Sequence, residues 1–111
     1  MNILNAINAT ATSTNTSTLV SGSILNATNG MSVSFTVKNT GDTNSVDYLI
    51  LAGNASDLSD GVTIQNSATL AVGAVGSYSV QIAPFCYYAV KIASTSAGNH
   101  TTFEAKGRVR G

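Results

Sequence analysis

From residue 31 the chain alternates. Met31, Val33, Phe35 and Val37 are apolar, and Ser32, Ser34, Thr36 and Lys38 stand between them. A period of two with one apolar face predicts a half-buried β-strand. The turn-forming run Asn39-Thr40-Gly41-Asp42 ends it. Residues 46–52, VDYLILA, are almost continuously apolar and predict a central strand covered on both faces. A loop rich in Gly, Asn, Ser and Asp spans residues 53–61. Two short strands are predicted next, Val62-Thr63-Ile64 and Leu70-Ala71-Val72, on either side of Asn66-Ser67. After the turn Gly73-Ala74-Val75-Gly76, Tyr78, Val80 and Ile82 alternate with Ser77, Ser79 and Gln81, up to Pro84, which cannot donate to a ladder. Tyr88, Val90 and Ile92 make a further strand, closed by Ser96-Ala97-Gly98-Asn99. The last strand runs over residues 101–109, with Phe103 and Ala105 facing inward.

The beginning of the chain is different. The first 30 residues are mostly Asn, Ala, Thr and Ser with scattered apolar positions. Ile3, Leu4 and Ile7 fit either a short edge strand or a helical turn docked on a neighbour, and residues 10–17 fit an extended or mobile arm. Leu19, Val20, Ile24 and Leu25 predict the first firm strand, interrupted at Ser21-Gly22-Ser23. Asn29-Gly30 predicts a tight turn, since both residues tolerate positive φ. The organisation expected is an N-terminal arm or edge segment over residues 1–18 and one domain over residues 19–111. Seven or eight strands with turns every 8 to 12 residues predict an all-β antiparallel β-sandwich, immunoglobulin-like or jelly roll.

Composition changes the picture in one respect. Charged residues make up 9% of the 111, against roughly 25% in an average soluble domain. The formal net charge is +0. A neutral surface poor in charge suits a protein covered by copies of itself or by a partner. Five Lys and Arg matched by five Asp and Glu leave no basic excess for nucleic acid. No apolar run approaches the roughly 20 residues that cross a bilayer. The start, MNILNAINATATS, has neither a charged head nor a continuous apolar stretch, so a secretory leader is not expected. A single cysteine, Cys86, excludes an internal disulfide framework.

Candidate chemistry is sparse. His100, the one histidine, falls in a turn and would need a nucleophile and an orienting carboxylate to act as a base. Cys86 sits in the apolar run Phe85-Cys86-Tyr87-Tyr88, without the cationic surroundings that activate a thiolate, and is expected as a buried small hydrophobe. Asp57 and Asp60 share an oxygen-rich loop that lacks calcium-loop spacing. The Asn-x-Ser/Thr triplets at Asn8, Asn15, Asn26, Asn54 and Asn99 follow from composition. Tyr48, Tyr78 and Tyr88 match the inward phase of their strands, and Tyr87 points the other way. No catalytic residue, metal ligand or cofactor site is predicted. The C-terminal Lys106, Arg108 and Arg110 alternate, so they share one face of the last strand. They fit an electrostatic contact with an acidic partner, or a charged edge that blocks stray sheet pairing.

The segments VSFTVKNTGDTNSVDYLILAG, AVGAVGSYSVQI and YYAVKIASTSAGNHTTFEAKG resemble small β-sandwich virion proteins of tailed bacteriophages. The resemblance implies a non-enzymatic structural protein, a capsid decoration or cement protein that stabilises the phage capsid by non-covalent contacts. Its partners would be the major capsid protein or other virion subunits, and it would be a homo-oligomer, with a trimer the symmetric arrangement in view. It would be made in the host cytoplasm and reside on the capsid surface of the virion. The alternative is a host-surface or carbohydrate-binding module of a phage tail or fibre. The expected partner-binding residues are Ile3, Leu4, Ile7, Lys106, Arg108 and Arg110.

Overall fold

The computed structural model describes residues 3–111. Nine strands follow one another: β1 (Ile3–Thr12), β2 (Thr18–Leu19), β3 (Leu25–Asn26), β4 (Ser32–Asn39), β5 (Val46–Gly53), β6 (Val62–Leu70), β7 (Val75–Val80), β8 (Tyr87–Ser94) and β9 (Thr102–Arg110). They form two antiparallel sheets. One has four strands in the order β1-β9-β4-β7; the other has the order β2-β8-β5-β6, with β3 also paired to β8.

That order has a simple origin. β5 pairs with β6, β4 with β7, β2 and β3 with β8, and β1 with β9. The chain is a set of nested hairpins whose innermost pair is β5–β6 and whose outermost pair joins the two ends. Rolling that nested ribbon so that β9 also meets β4, and β8 meets β5, yields the two sheets of a jelly roll. The choice between immunoglobulin-like and jelly-roll sandwiches, open on the sequence, is thereby made.

Three local expectations change. The predicted strand across Leu19 to Leu25 is two two-residue strands, since Ser21-Gly22-Ser23 needs Gly22 at φ +80 to redirect the chain. The two short strands expected around Asn66-Ser67 are a single β6. Register shifts opposite Tyr48–Ile50 and Ile50–Leu51 absorb the extra residues as bulges, where a turn was expected. Of the two readings of the chain's start, residues 3–12 take the edge segment. β1 pairs with β9 from Ile3↔Arg110 to Thr12↔Thr102, so the sandwich has a full strand before Leu19.

The core lies between the sheets. Val33, Phe35 and Val37 from β4 and Phe103, Ala105 and Val109 from β9 meet Tyr48 and Ile50 from β5 and Tyr88, Val90 and Ile92 from β8. Each large side chain so buried contributes about 1.5–3 kcal/mol relative to exposure. The ring centroids of Tyr48 and Phe103 lie 6.5 Å apart across the two layers. Both buried tyrosine hydroxyls are partnered: Gln65 Nε2 donates to Tyr48 at 3.1 Å, and the Phe85 amide donates to Tyr88 at 3.3 Å. β1 adds Ala9 to the core, with Ile7 and Ala11 packed against it.

Candidate assembly surface

The two ends of the sandwich differ. At the upper end, where β1 finishes and β9 begins, a polar network crosses between the sheets. His100 Nδ1 and Ser94 Oγ are 2.8 Å apart, and Ser94 Oγ meets Ser13 Oγ at 2.8 Å. The Thr101 amide donates to Ser13 Oγ, and its hydroxyl donates to Asn39 Oδ1. Asn39 Nδ2 donates to the carbonyls of Asn44 and Leu70. A serine beside a histidine suggests a nucleophile and its base, but Ser94 is buried and its hydroxyl is engaged on both sides. The arrangement ties loops together. A depression of about 420 Å³ also lies at this end; Thr12, Thr40, Asp42 and His100 are among the residues that line it.

At the lower end, where β1 begins and β9 finishes, apolar side chains emerge. Ile3 pairs with Arg110, and Arg110 pairs with Ser32 at the start of β4. The amide of Met31 donates to the Arg110 carbonyl, and the carbonyl of Met31 accepts from Ala83. Ile3, Leu4, Met31 and Ile82 therefore form a rim along this end of the four-stranded sheet, with Met31 56% and Ile82 77% exposed. Val62, at the same end of the other sheet, is also exposed. Seven large apolar side chains are exposed among the described residues, and these are five of them.

The predicted site residues are brought together, because β1 and β9 are neighbours. Lys106 faces Asn8, Arg108 faces Ala6 and Arg110 faces Ile3. The three cations share the outer face of the sheet, with Lys106 and Arg110 exposed. Lys106 Nζ lies 3.7 Å from Glu104. Ile7 alone turns inward, half-buried against the core. Met31 and Ile82 were missing from the predicted set. Their strands read as ordinary amphipathic strands, and only the sheet order places them at the same end of the sheet as Ile3.

Asp57 and Asp60 are absorbed by backbone. Asp60 accepts from the amides of Asn54 and Ala55, and Asp57 accepts from Ser59. These amides hold both carboxyls below the ordinary aspartate range. Cys86 is half-buried, not fully buried as expected, since its neighbours leave the thiol at the margin of the core. Tyr48 and Tyr88 are buried, and Tyr78 and Tyr87 are half-buried. None of the three depressions described has an aromatic in its lining.

Comparison with known proteins supports the fold. No protein-family model matches the chain, and no curated protein matches it. Solved structures do match. A chain from Bacillus endospore appendages, described as a family of disulfide-linked pili, shares 18% identity at a TM-score of 0.58, over 98% of this chain and 88% of that one. The SPBc2 prophage-derived protein YomS shares 13% identity at 0.51, over 98% and 97%. A chain of the T13 IBDV viral particle shares 8% identity at 0.51, over 98% of this chain and 31% of that one.

Proposed function

We propose that this chain is a non-enzymatic structural protein of a virion, of the decoration or cement type, that docks end-on onto shell subunits by non-covalent contacts. The observation that carries this reading is the apolar rim of Ile3, Leu4, Met31 and Ile82, gathered at one end of an otherwise hydroxyl-rich sandwich. Exposed apolar side chains scattered singly are ordinary, whereas a cluster rimmed by polar residues marks an interaction surface. Arg110 borders the rim and supplies a charged contact at its edge. Prophage and viral-particle chains with this fold lend the reading support. The lack of aromatics around the depressions favours it over a sugar-binding module, which stacks rings on its ligand.

The test is co-sedimentation with empty shells assembled without this protein. Wild-type protein is expected to pellet with shells, and the double variant Met31→Lys, Ile82→Lys to remain in the supernatant with its unfolding transition unchanged. Undiminished pelleting of the variant would overturn end-on docking. Mass spectrometry of purified particles adds the copy number, which for a shell-bound protein follows the number of shell subunits.

A further inference from the structure

Charge is scarce in this chain, and most of its base is on one face. Lys38, Lys106, Arg108 and Arg110 all lie on the outer face of the four-stranded sheet, where Glu104 is the one acid. That face carries a net +3 in side-chain charge. Of the remaining charges, Asp47 and Lys91 point outward from the second sheet, Asp57 and Asp60 lie in the loop at its lower end and Asp42 in a loop at the upper end, a net −3 in all. A chain whose formal charge is +0 therefore carries most of its base and most of its acid on different surfaces. At physiological salt the Debye length is about 8 Å, so the two faces of one molecule barely sense each other. Each is free to satisfy itself on a neighbour.

The charges are also ordered along the strands. Arg108 and Arg110 end β9 at the lower end, and the loop over residues 54–61 with Asp57 and Asp60 leaves β5 at that same end. This loop lies against the outside of the other sheet. A Cβ placed on Gly61 would stand 3.0 Å from Leu51 Cγ, and Leu51 is outward-facing on β5. Lys38 lies towards the upper end, one residue short of the end of β4. Asp47 is likewise one residue into β5, on the outer face of the second sheet, held by the hydroxyls of Thr69 and Thr95. Shifting a copy along the sheet normal without rotation therefore brings the end that carries Arg108 and Arg110 to the end that carries Asp57 and Asp60, and the end that carries Lys38 to the end that carries Asp47.

We propose that the basic outer face of the four-stranded sheet binds the aspartate-bearing side of a second copy of this chain, head to tail. The contact is heterologous: the two copies use different surfaces, and each bound copy still offers one free face of each sign. Around the charges, the basic face presents Ser34, Thr36, Ser77 and Ser79, a flat hydroxyl field that packs against another sheet without burying further charge. The contact leaves the apolar rim at the lower end free, so it goes beyond shell docking and is independent of it.

The experiment compares two variants built on exposed or part-exposed positions, Lys38→Glu with Lys106→Glu and Asp47→Lys with Asp57→Lys, by sedimentation velocity over a concentration series. Circular dichroism melts establish that each remains folded. Wild-type protein is expected to associate at low salt and to dissociate as salt rises. Each variant alone associates at least about tenfold more weakly, since like charges now meet across the contact. An equimolar mixture of the two variants regains association, because one now carries acid on both sides and the other base. A wild-type protein that stays monomeric at low salt would overturn the proposal. So would a basic-face variant that loses association while the aspartate variant keeps it, the mark of a two-fold contact. A mixture that fails to recover would overturn it as well. Shell pelleting by the folded variants reports separately on the docking end.

Discussion

Asn39 and Thr101 stand 62 residues apart in sequence, and the threonine hydroxyl donates to the asparagine side chain at 2.9 Å in a fully buried setting. Asn39 also accepts from the amide of Gly41 and donates to the carbonyls of Asn44 and Leu70. One side chain thus ties the end of β4 to β6 and to the loop before β9. Replacing Asn39 with Ala strands two backbone carbonyls, a backbone amide and a hydroxyl. The expected loss is about 3 kcal/mol, read as a lower midpoint in urea unfolding. A loss under about 0.5 kcal/mol, the size of a surface change, would show that water takes over these bonds.

β1 is a structural edge, so removing it should unfold more than itself. Deletion of residues 1–12 strips Ala9 from the core and uncovers one side of β9. The thermal midpoint is expected to fall by more than about 10 °C. A melting curve superimposable on that of the full chain would mean that the sandwich closes without its first strand.

Gly107 sits where β9 passes over the core. A Cβ there would stand 2.7 Å from Leu25 Cδ1 and 3.0 Å from Phe35 Cε1. Both neighbours are fully buried, so neither has room to withdraw. Gly107→Ala is expected to cost about 1–3 kcal/mol by overpacking, measured by urea unfolding. Gly98→Ala is the control, with nothing within 4 Å of its Cβ; any cost there comes from its φ of +79 alone.

Acid should open the loop over residues 54–61 late. The carboxyls of Asp57 and Asp60 are lowered from 3.8, chiefly by the amides of Ser59 and Ala55 respectively. A depressed folded-state pKa means the stabilisation is present above the unfolded value and is lost as pH falls through the folded one. The amide resonances of Asn54, Ala55 and Ser59 are therefore expected to titrate with midpoints below 3.8. Titration midpoints above 3.8 would show these hydrogen bonds to be absent in solution.

The strands that alternate cleanly were legible from sequence. Val33, Phe35 and Val37, and likewise Phe103 and Ala105, lie buried on the phase their spacing predicts. β1 was harder to read because its inward positions are Asn5, Ile7, Ala9 and Ala11. Small and polar residues there look like a solvated arm, although Ala9 is buried and Ile7 and Ala11 pack against the core. β6 was split in two because Asn66-Ser67 carries turn chemistry, and a bulge can use the same residues without reversing the chain. The shared face of Lys106, Arg108 and Arg110 followed from a period of two. The rim did not, since nothing local connects Ile3 with Met31 and Ile82. That they share one end of the sheet is a property of the sheet order.

The nested pairing has a consequence for how the molecule comes into being. Ile3 finds its partner in Arg110, far along the sequence, so a nascent chain carries β1 without its hydrogen-bonding neighbour until β9 has been made. The inner pair β5–β6 can close early, and the remaining pairs follow outward in the order in which their second halves emerge. Of the nine strands described, the first in sequence is locked last. Its ten residues contain no charge and no proline to discourage pairing with a stranger, so the hazard of misassociation falls on the interval before the ends meet.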